Sequence, residues 1–153
     1  MGYTTNFQGK FKINKPVDFK TAKLFRGIST TRRMKRRGLP KKYGIEGEFY
    51  CKDREDSGQS TTPSQGEIVE YNNPPSTQPG LWCQWELQED NQTIQWDGNE
   101  KFYMYVEWLE YIIEKILAPK GYVVKGKVDW EGEDRKDNGI ITVTNNKIKS
   151  RSV

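Results

Sequence analysis

The densest group of side chains that could do chemistry is a run of seven cations between residues 32 and 42. It comprises Arg32, Arg33, Lys35, Arg36, Arg37, Lys41 and Lys42. Guanidinium forks and ammonium groups hold phosphates, and such binding weakens steeply as the salt concentration rises. The run therefore predicts a polyanion-binding segment, for nucleic acid or a phosphorylated nucleotide. An equally weighted alternative is the solvated end of a helix that pairs with acidic residues of the same chain.

Aromatic side chains that could stack on nucleobases lie outside that run. The candidates are Trp82, Trp96 and Trp108, three of the five tryptophans. Aromatic stacking suits single strands of any sequence, because every base has a flat face. A place in the core competes with this role, since the chain has few large aliphatic residues and its rings must supply much of the buried area.

The charge of the chain is divided sharply along its length. Its 153 residues include 25 Lys and Arg against 21 Asp and Glu, a net charge of +4. Residues 1–45 carry 13 basic side chains and one acid, net +12, whereas residues 46–134 carry 7 basic and 19 acidic ones, net −12. These segments could neutralise each other within one subunit or between two. The second hypothesis is therefore a protein–protein inhibitor or a homodimeric assembly module.

The absence of histidine argues against catalysis. It removes the usual general base near neutral pH and the commonest metal ligand. A third hypothesis is a small carboxylate- or metal-dependent enzyme that uses Glu107 and Glu110, which share a predicted helix face. The acids between residues 129 and 137 lack the spacing of an EF-hand loop and are more typical of a hydrated hairpin tip. We expect no catalytic residue, metal or cofactor.

Hydrophobic periodicity and turn residues predict an α+β protein. The predicted strands span 3–15, 46–52, 67–71, 81–87, 93–96, 122–130, 140–144 and 147–151, and the predicted helices span 18–35 and 97–117. Asp18 and Asp97 are the expected N-caps. We expect a single domain over 1–153, with a polar irregular loop at about 53–80. In it two helices pack on one face of an antiparallel sheet, a ferredoxin-like sandwich with an added C-terminal hairpin.

Cysteine content and hydropathy favour a cytoplasmic protein without a membrane partner. No apolar run approaches the length of a membrane span, and residues 1–5 begin no hydrophobic signal region. Cys51 and Cys83 are too few for a disulfide framework. Cys83 falls on the inward side of a predicted strand, so we expect it to be a small buried apolar residue.

Several specific motifs occur between residues 74 and 134. They are PPSTQPGLWCQW at 74–85, WDGNEKFY at 96–103, EWL at 107–109 and WEGED at 130–134. The chain resembles, in these motifs, a family of short uncharacterised proteins of bacteria and their phages, and the resemblance covers most of the chain except 53–66. It implies a bacterial or phage accessory protein, used in phage–host conflict, and it supplies no catalytic residues. The leading hypothesis is therefore a non-enzymatic binding protein that engages a polyanion through its basic N-terminal third, with nucleic acid, a nucleotide or a host protein as partner.

Overall fold

Alternating apolar and polar residues build most of the secondary structure. A computed structural model describes residues 2–51 and 67–153. Within them lie the strands β1 (Thr5–Ile13), β2 (Lys35–Arg37), β3 (Glu67–Glu70), β4 (Trp85–Leu87), β5 (Thr93–Trp96), β6 (Val124–Gly132), β7 (Asn138–Thr144) and β8 (Lys147–Ser152), and the helices α1 (Phe19–Thr30) and α2 (Tyr105–Tyr111). A π-helical segment (Ile112–Leu117) and a 3₁₀ turn (Ala118–Lys120) continue α2.

Six of the strands form one antiparallel sheet in the order β4-β5-β1-β6-β7-β8, and β2 and β3 form a separate two-stranded sheet. The chain passes through α1 between β1 and β4, and through α2 between β5 and β6. Each helix thus connects two strands that have one other strand between them. The α+β class is confirmed, and this order is compatible with the predicted ferredoxin-like arrangement, in which β7 and β8 are the added hairpin.

One face of the six-stranded sheet is buried under the helices. The buried residues of β1, β6 and β7, such as Phe11, Val128 and Ile141, belong to a single core cluster with Phe25 of α1 and Trp108 of α2. Residues at alternate positions of the same strands are exposed or partly exposed. The opposite face of the sheet is therefore open to solvent, and its side chains are free to differ in character from the core.

The first helix begins where predicted but ends five residues early. The Asp18 carboxylate accepts a hydrogen bond from the Thr21 amide at 2.7 Å, and its interactions with the side chain and the amide of Thr21 lower the pKa of Asp18. The helix ends at Thr30, and Thr31 has extended backbone angles. The amides of Arg33 and Lys35 bond instead to distant carbonyl oxygens, those of Leu81 at 2.8 Å and Asn73 at 3.0 Å. The prediction of helix through residue 35 was therefore wrong, because these long-range bonds hold the segment extended.

The second helix ends as predicted but begins later than predicted. Met104, in a left-handed conformation, precedes its first residue. The expected cap, Asp97, instead accepts a hydrogen bond from the Asn99 amide at 2.8 Å within a turn.

The prediction of a strand over 46–52 was also wrong for its described part, because Glu46 and Gly47 both have positive φ and form a 3₁₀ turn. The part of the predicted loop at 53–66 lies outside the described residues.

Candidate polyanion-binding surface

Two arginines of the predicted cation run are buried. Arg33 is 2 % exposed, and its guanidinium donates to the carbonyl oxygens of Tyr50 at 2.6 Å and Glu48 at 2.8 Å. Burial of this group lowers the pKa of Arg33. Arg36 is also 2 % exposed and stacks over the Tyr50 ring, 4.0 Å from its centroid. The expectation that these two arginines contact phosphate does not fit the structure, because neither guanidinium reaches the surface.

Three further cations of the run bind groups within the chain. Arg37 makes a two-pronged ion pair with Glu67, with both N–O distances 2.8 Å, and this pair lowers the pKa of Glu67. Lys35 lies 3.5 Å from the carboxylate of Glu46. Arg32 donates to the Tyr71 carbonyl oxygen at 3.2 Å. The alternative interpretation of the run, as cations that pair with acids of the same chain, thus holds for Lys35 and Arg37, two of its seven members.

Lys41 and Lys42 are the two cations of the run that remain exposed without an ion pair inside the described ranges. Both lie on the 3₁₀ turn Lys41–Tyr43, and the Lys42 ammonium is 5.1 Å from the centroid of the Tyr43 ring. Two adjacent lysines are a small surface. By themselves they are too small to define a polyanion site.

The three candidate stacking tryptophans differ in access. Trp108 is 0 % exposed and packs edge-on against Tyr111, so it belongs to the core. Trp96 is half-buried and donates to the Asn99 carbonyl oxygen at 3.0 Å. Trp82 is 36 % exposed, but it lines a cleft of about 510 Å³ that also contains the carboxylates Glu86, Asp97 and Glu100. A phosphate chain would be repelled from this cleft.

The carboxylates considered for catalysis form no constellation in the structure. Glu107 and Glu110 are exposed on α2. Among residues 2–51 and 67–153, no group of three His, Cys, Asp or Glu side chains could hold a metal ion.

Cys83 is 1 % exposed, as predicted, and burial raises its pKa to about 12. A thiol with that pKa is protonated near neutral pH and is a poor nucleophile.

A broader group of exposed cations lies instead on the open side of the sheet. We define the open face as the outward-pointing side chains of β1, β6, β7 and β8. It carries Lys10, Lys12, Lys125, Lys127, Lys147, Lys149 and Arg151. Its carboxylates are Asp129 and Glu131, which lie together at the end of β6. The open face therefore has seven cations and two acids, with the acids confined to one end.

Strand register places these cations in rows across the sheet. Lys10 lies directly opposite Lys127, and Lys12 lies directly opposite Lys125. The first row continues from Lys127 through Thr142 to Lys149 on β8. Like charges directly opposite each other on neighbouring strands destabilise a sheet. The fold thus tolerates a repulsive arrangement at this place.

Of the seven cations on the open face, Lys12 has an ion pair in the described part of the chain, and the other six do not. Its ammonium lies 3.4 Å from the Asp90 carboxylate and 2.6 Å from the Thr93 hydroxyl. The Thr93 hydroxyl and the Gln92 amide both donate to Asp90, and these hydrogen bonds hold the pKa of Asp90 far below its ordinary value of 3.8. The carboxylate stays ionised at neutral pH and fixes Lys12 in position.

A cleft of about 510 Å³ opens at the basic end of the face. Lys12 and Lys125 line it together with Asn14, Gln92 and Asn145. The Asn14 side-chain oxygen accepts from the Val123 amide at 3.0 Å, which leaves the Asn14 amide nitrogen as a donor. Two ammonium groups and neutral amide donors are suitable partners for a phosphate group.

The net charge of each segment does not reveal the open face, although the spacing of the lysines in the sequence is a signal for it. Lysines at alternate positions of a strand point to the same side, and this spacing occurs at residues 10 and 12, 125 and 127, and 147 and 149. Each pair alone is two exposed lysines. The three pairs form one surface because β1, β6 and β8 belong to the same sheet, in which β1 lies beside β6.

Fold and surface together define an α+β protein whose sheet has one face covered by helices and one basic face open to solvent. No protein-family model, curated protein or solved structure matches the chain. Within the two described ranges, no helix is long and apolar enough to cross a membrane.

Proposed function

We propose that the protein is a non-enzymatic accessory protein of bacterial or phage origin that binds a polyanion in the cytoplasm through its open face. The observation that carries this proposal is the direct opposition of Lys10 to Lys127, two lysines without an ion pair among the described residues. Such like-charge pairs cost stability in the free protein, and phosphates bound between them would offset the repulsion. Nucleic acid is the polyanion that best suits a surface with several phosphate positions.

This proposal moves the main binding surface away from the cation run at 32–42. That run is mostly buried or paired, whereas six cations of the open face have no ion pair among the residues described. Lys41 and Lys42 could still add peripheral contacts. The proposal therefore retains the polyanion partner expected from the sequence but assigns it to different side chains.

Self-association remains the alternative proposal, and the structure supplies less support for it. All three ion pairs found in the described regions join the basic first segment to the acidic middle within one chain. The exposed edge strand β8 carries Lys147, Lys149 and Arg151. Positive charges along an edge strand oppose pairing with a second copy.

The test is a binding titration across a salt series with labelled nucleic acids and inorganic polyphosphate. We expect the double variant Lys10→Gln/Lys127→Gln to bind about tenfold more weakly and to show a smaller salt dependence. The matched control is Lys20→Gln/Lys23→Gln, which removes the same charge from exposed positions on α1, across the sheet from the open face. Equal losses in both variants would remove the open face as the site. Failure of the wild-type protein to bind any of these polyanions would overturn the proposed function.

A further inference from the structure

We infer that the polyanion is double-stranded nucleic acid, held by its phosphates without readout of the base sequence. This inference rests on the proposed function and specifies its ligand. Its first support is the composition of the open face. The outward residues other than the seven cations are Asn6, Gln8, Asp129, Glu131, Asn138, Ile140, Thr142 and Thr144. None is aromatic, so these strands provide no ring on which an unpaired base could stack.

Proteins that bind single strands without sequence preference combine a basic groove with such rings. The exposed tryptophan of this chain does not complete that combination. Trp82 lies just before the edge strand β4, in a cleft with three carboxylates, and β5 separates β4 from β1. Bases stacked there would bring their phosphates to acids. The absence of an aromatic ring among the outward residues of the described open-face strands therefore favours a ligand whose bases are already paired.

The second support is the shape of the cation pattern. The row from Lys10 through Lys127 to Lys149 crosses four strands, a width of about 14 Å at the usual interstrand spacing. Along β8 the cations Lys147, Lys149 and Arg151 extend over about 13 Å. The pattern is a two-dimensional patch and not a single track. A duplex suits it because its two strands present one negative charge per about 1.7 Å of axis.

The third support is the chemistry of the contacts. Six of the seven cations are lysines, which bind phosphate as point charges and lack the rigid fork of arginine. The amide side chains of the open face, Asn6, Gln8 and Asn138, lie at the end that carries Asp129 and Glu131. Those carboxylates repel the phosphates that would have to approach them. The amides of the cleft at the basic end lie beside Lys12 and Lys125, where a phosphate group would bind. Binding should therefore depend on charge and hardly on base sequence.

The experiment is fluorescence anisotropy with two unrelated duplexes of about 20 base pairs, their separated strands, and a duplex RNA of the same length. We expect both DNA duplexes to bind equally within about twofold, and each to bind at least about tenfold more tightly than its single strands. The logarithmic salt slope for duplex should become less steep by about 1.8 in Lys10→Gln/Lys127→Gln, as expected for two lost phosphate contacts. Circular dichroism confirms that each variant is folded.

The outcomes separate this inference from the proposed function. Tighter binding of single strands, or weaker binding on replacing Trp82 by Ala, would overturn the duplex assignment and leave polyanion binding intact. A preference of more than about tenfold between the two DNA sequences would overturn binding without base readout. Binding of duplex RNA but not duplex DNA would also contradict it, since it would require recognition beyond phosphate charge. Absence of binding to every nucleic acid and to polyphosphate would contradict the proposed function itself.

Discussion

Arg33 shows how a single cation in a basic run can serve the fold. Its guanidinium is buried and reaches two carbonyl oxygens of the 47–50 turn, and it also donates to the Gln78 side-chain oxygen at 3.3 Å. One side chain thus joins three separate parts of the chain. Its neighbour Arg32 is partly exposed and has a single carbonyl partner, that of Tyr71, together with a long contact to an asparagine side chain.

We predict that Arg33→Met lowers the free energy of unfolding by about 3 kcal/mol, because it removes the guanidinium donor from the oxygens of Tyr50, Glu48 and Gln78 in a buried site. Urea denaturation measures the loss, and Arg32→Met is the matched control, with an expected change below about 0.5 kcal/mol. Duplex binding by the folded Arg33→Met protein should be unchanged. Reduced binding with unaltered stability would instead identify Arg33 as a phosphate contact.

Sequence alone could not separate Arg33 from Arg32. Beyond the end of α1 the chain is extended, and residues 31 and 33 point inward while residue 32 points outward. The acceptors of Arg33 come from positions 14 to 45 residues further along the chain. A local pattern of charge carries no information about contacts at that separation.

At the scale of elements, glycines allow β1 and β6 to approach closely beneath the rows of lysine. Gly126 has φ +145°, and a Cβ atom there would lie 2.6 Å from the Lys10 carbonyl oxygen and 2.8 Å from the Phe11 Cα. The obstructing atoms belong to backbone, which cannot move aside without separating the strands. Gly126 also lies between Lys125 and Lys127, so its backbone sets the spacing of both rows.

We predict that Gly126→Ala destabilises the fold by about 3 kcal/mol, through the left-handed φ and the backbone clash together. Gly98→Ala is the control, because Gly98 has φ +86° but open space around its Cβ position. That variant should lose only the conformational part, about 1 kcal/mol. Thermal or urea unfolding measures the stability of both variants. Equal losses of stability would show that the close approach of the strands is unimportant.

Alternation and turn residues in the sequence predict most of the sheet. β1, β6, β7 and β8 lie within a few residues of their predicted bounds. The hairpin of β4 and β5 occurs, but β4 covers only Trp85–Leu87 of the strand predicted over 81–87. Predictions of helix ends were less accurate. Asp97 has the chemistry of an N-cap, but its acceptor is used within the preceding turn, and the helix starts only after Met104. Tertiary contacts decide between these competing local bonds.

The site was less predictable than the fold, because it depends on which strands are neighbours. The sequence does show lysines at alternate positions in three strands. It does not show that β1 lies beside β6, which is 111 residues away between the ends Ile13 and Val124. The run at 32–42 is conspicuous because its cations are adjacent in sequence, whereas the open face collects its cations from strands at both ends of the chain.

At the scale of the whole molecule, the divided charge of the sequence is resolved only in part. Three exposed ion pairs join the +12 segment to the −12 segment, at Lys12–Asp90, Lys35–Glu46 and Arg37–Glu67. Exposed pairs of this kind contribute little to stability. The open face collects Lys10 and Lys12 of the first segment together with five cations of β6 and β8. It is therefore the place where stability and binding should oppose each other.

Because stability and binding should oppose each other on the open face, one substitution there should raise the melting temperature and lower the affinity for duplex. Lys10→Glu replaces a like-charge pair with an attractive one directly across from Lys127, and the acid Asp129, which lies opposite Gln8, is a more distant diagonal neighbour. We expect the melting temperature to rise by about 2 °C. Duplex affinity should fall by at least about tenfold, because the new carboxylate repels phosphate. Calorimetry and anisotropy on the same preparation measure both effects.

Lys149→Glu is the matched control, because it makes the same charge change on the same face but lies opposite Thr142 and not opposite a cation. Its loss of affinity should be similar, whereas its gain in melting temperature should be smaller. A fall in the melting temperature of Lys10→Glu would show that the opposed lysines do not strain the free protein. Unchanged duplex affinity in both variants would show that phosphates do not bind the open face. If the lysines repel one another in the free protein and are neutralised by bound phosphates, replacing Lys10 by Glu should raise stability and lower affinity together. This pair of variants separates that account from one in which the lysines merely keep the sheet solvated.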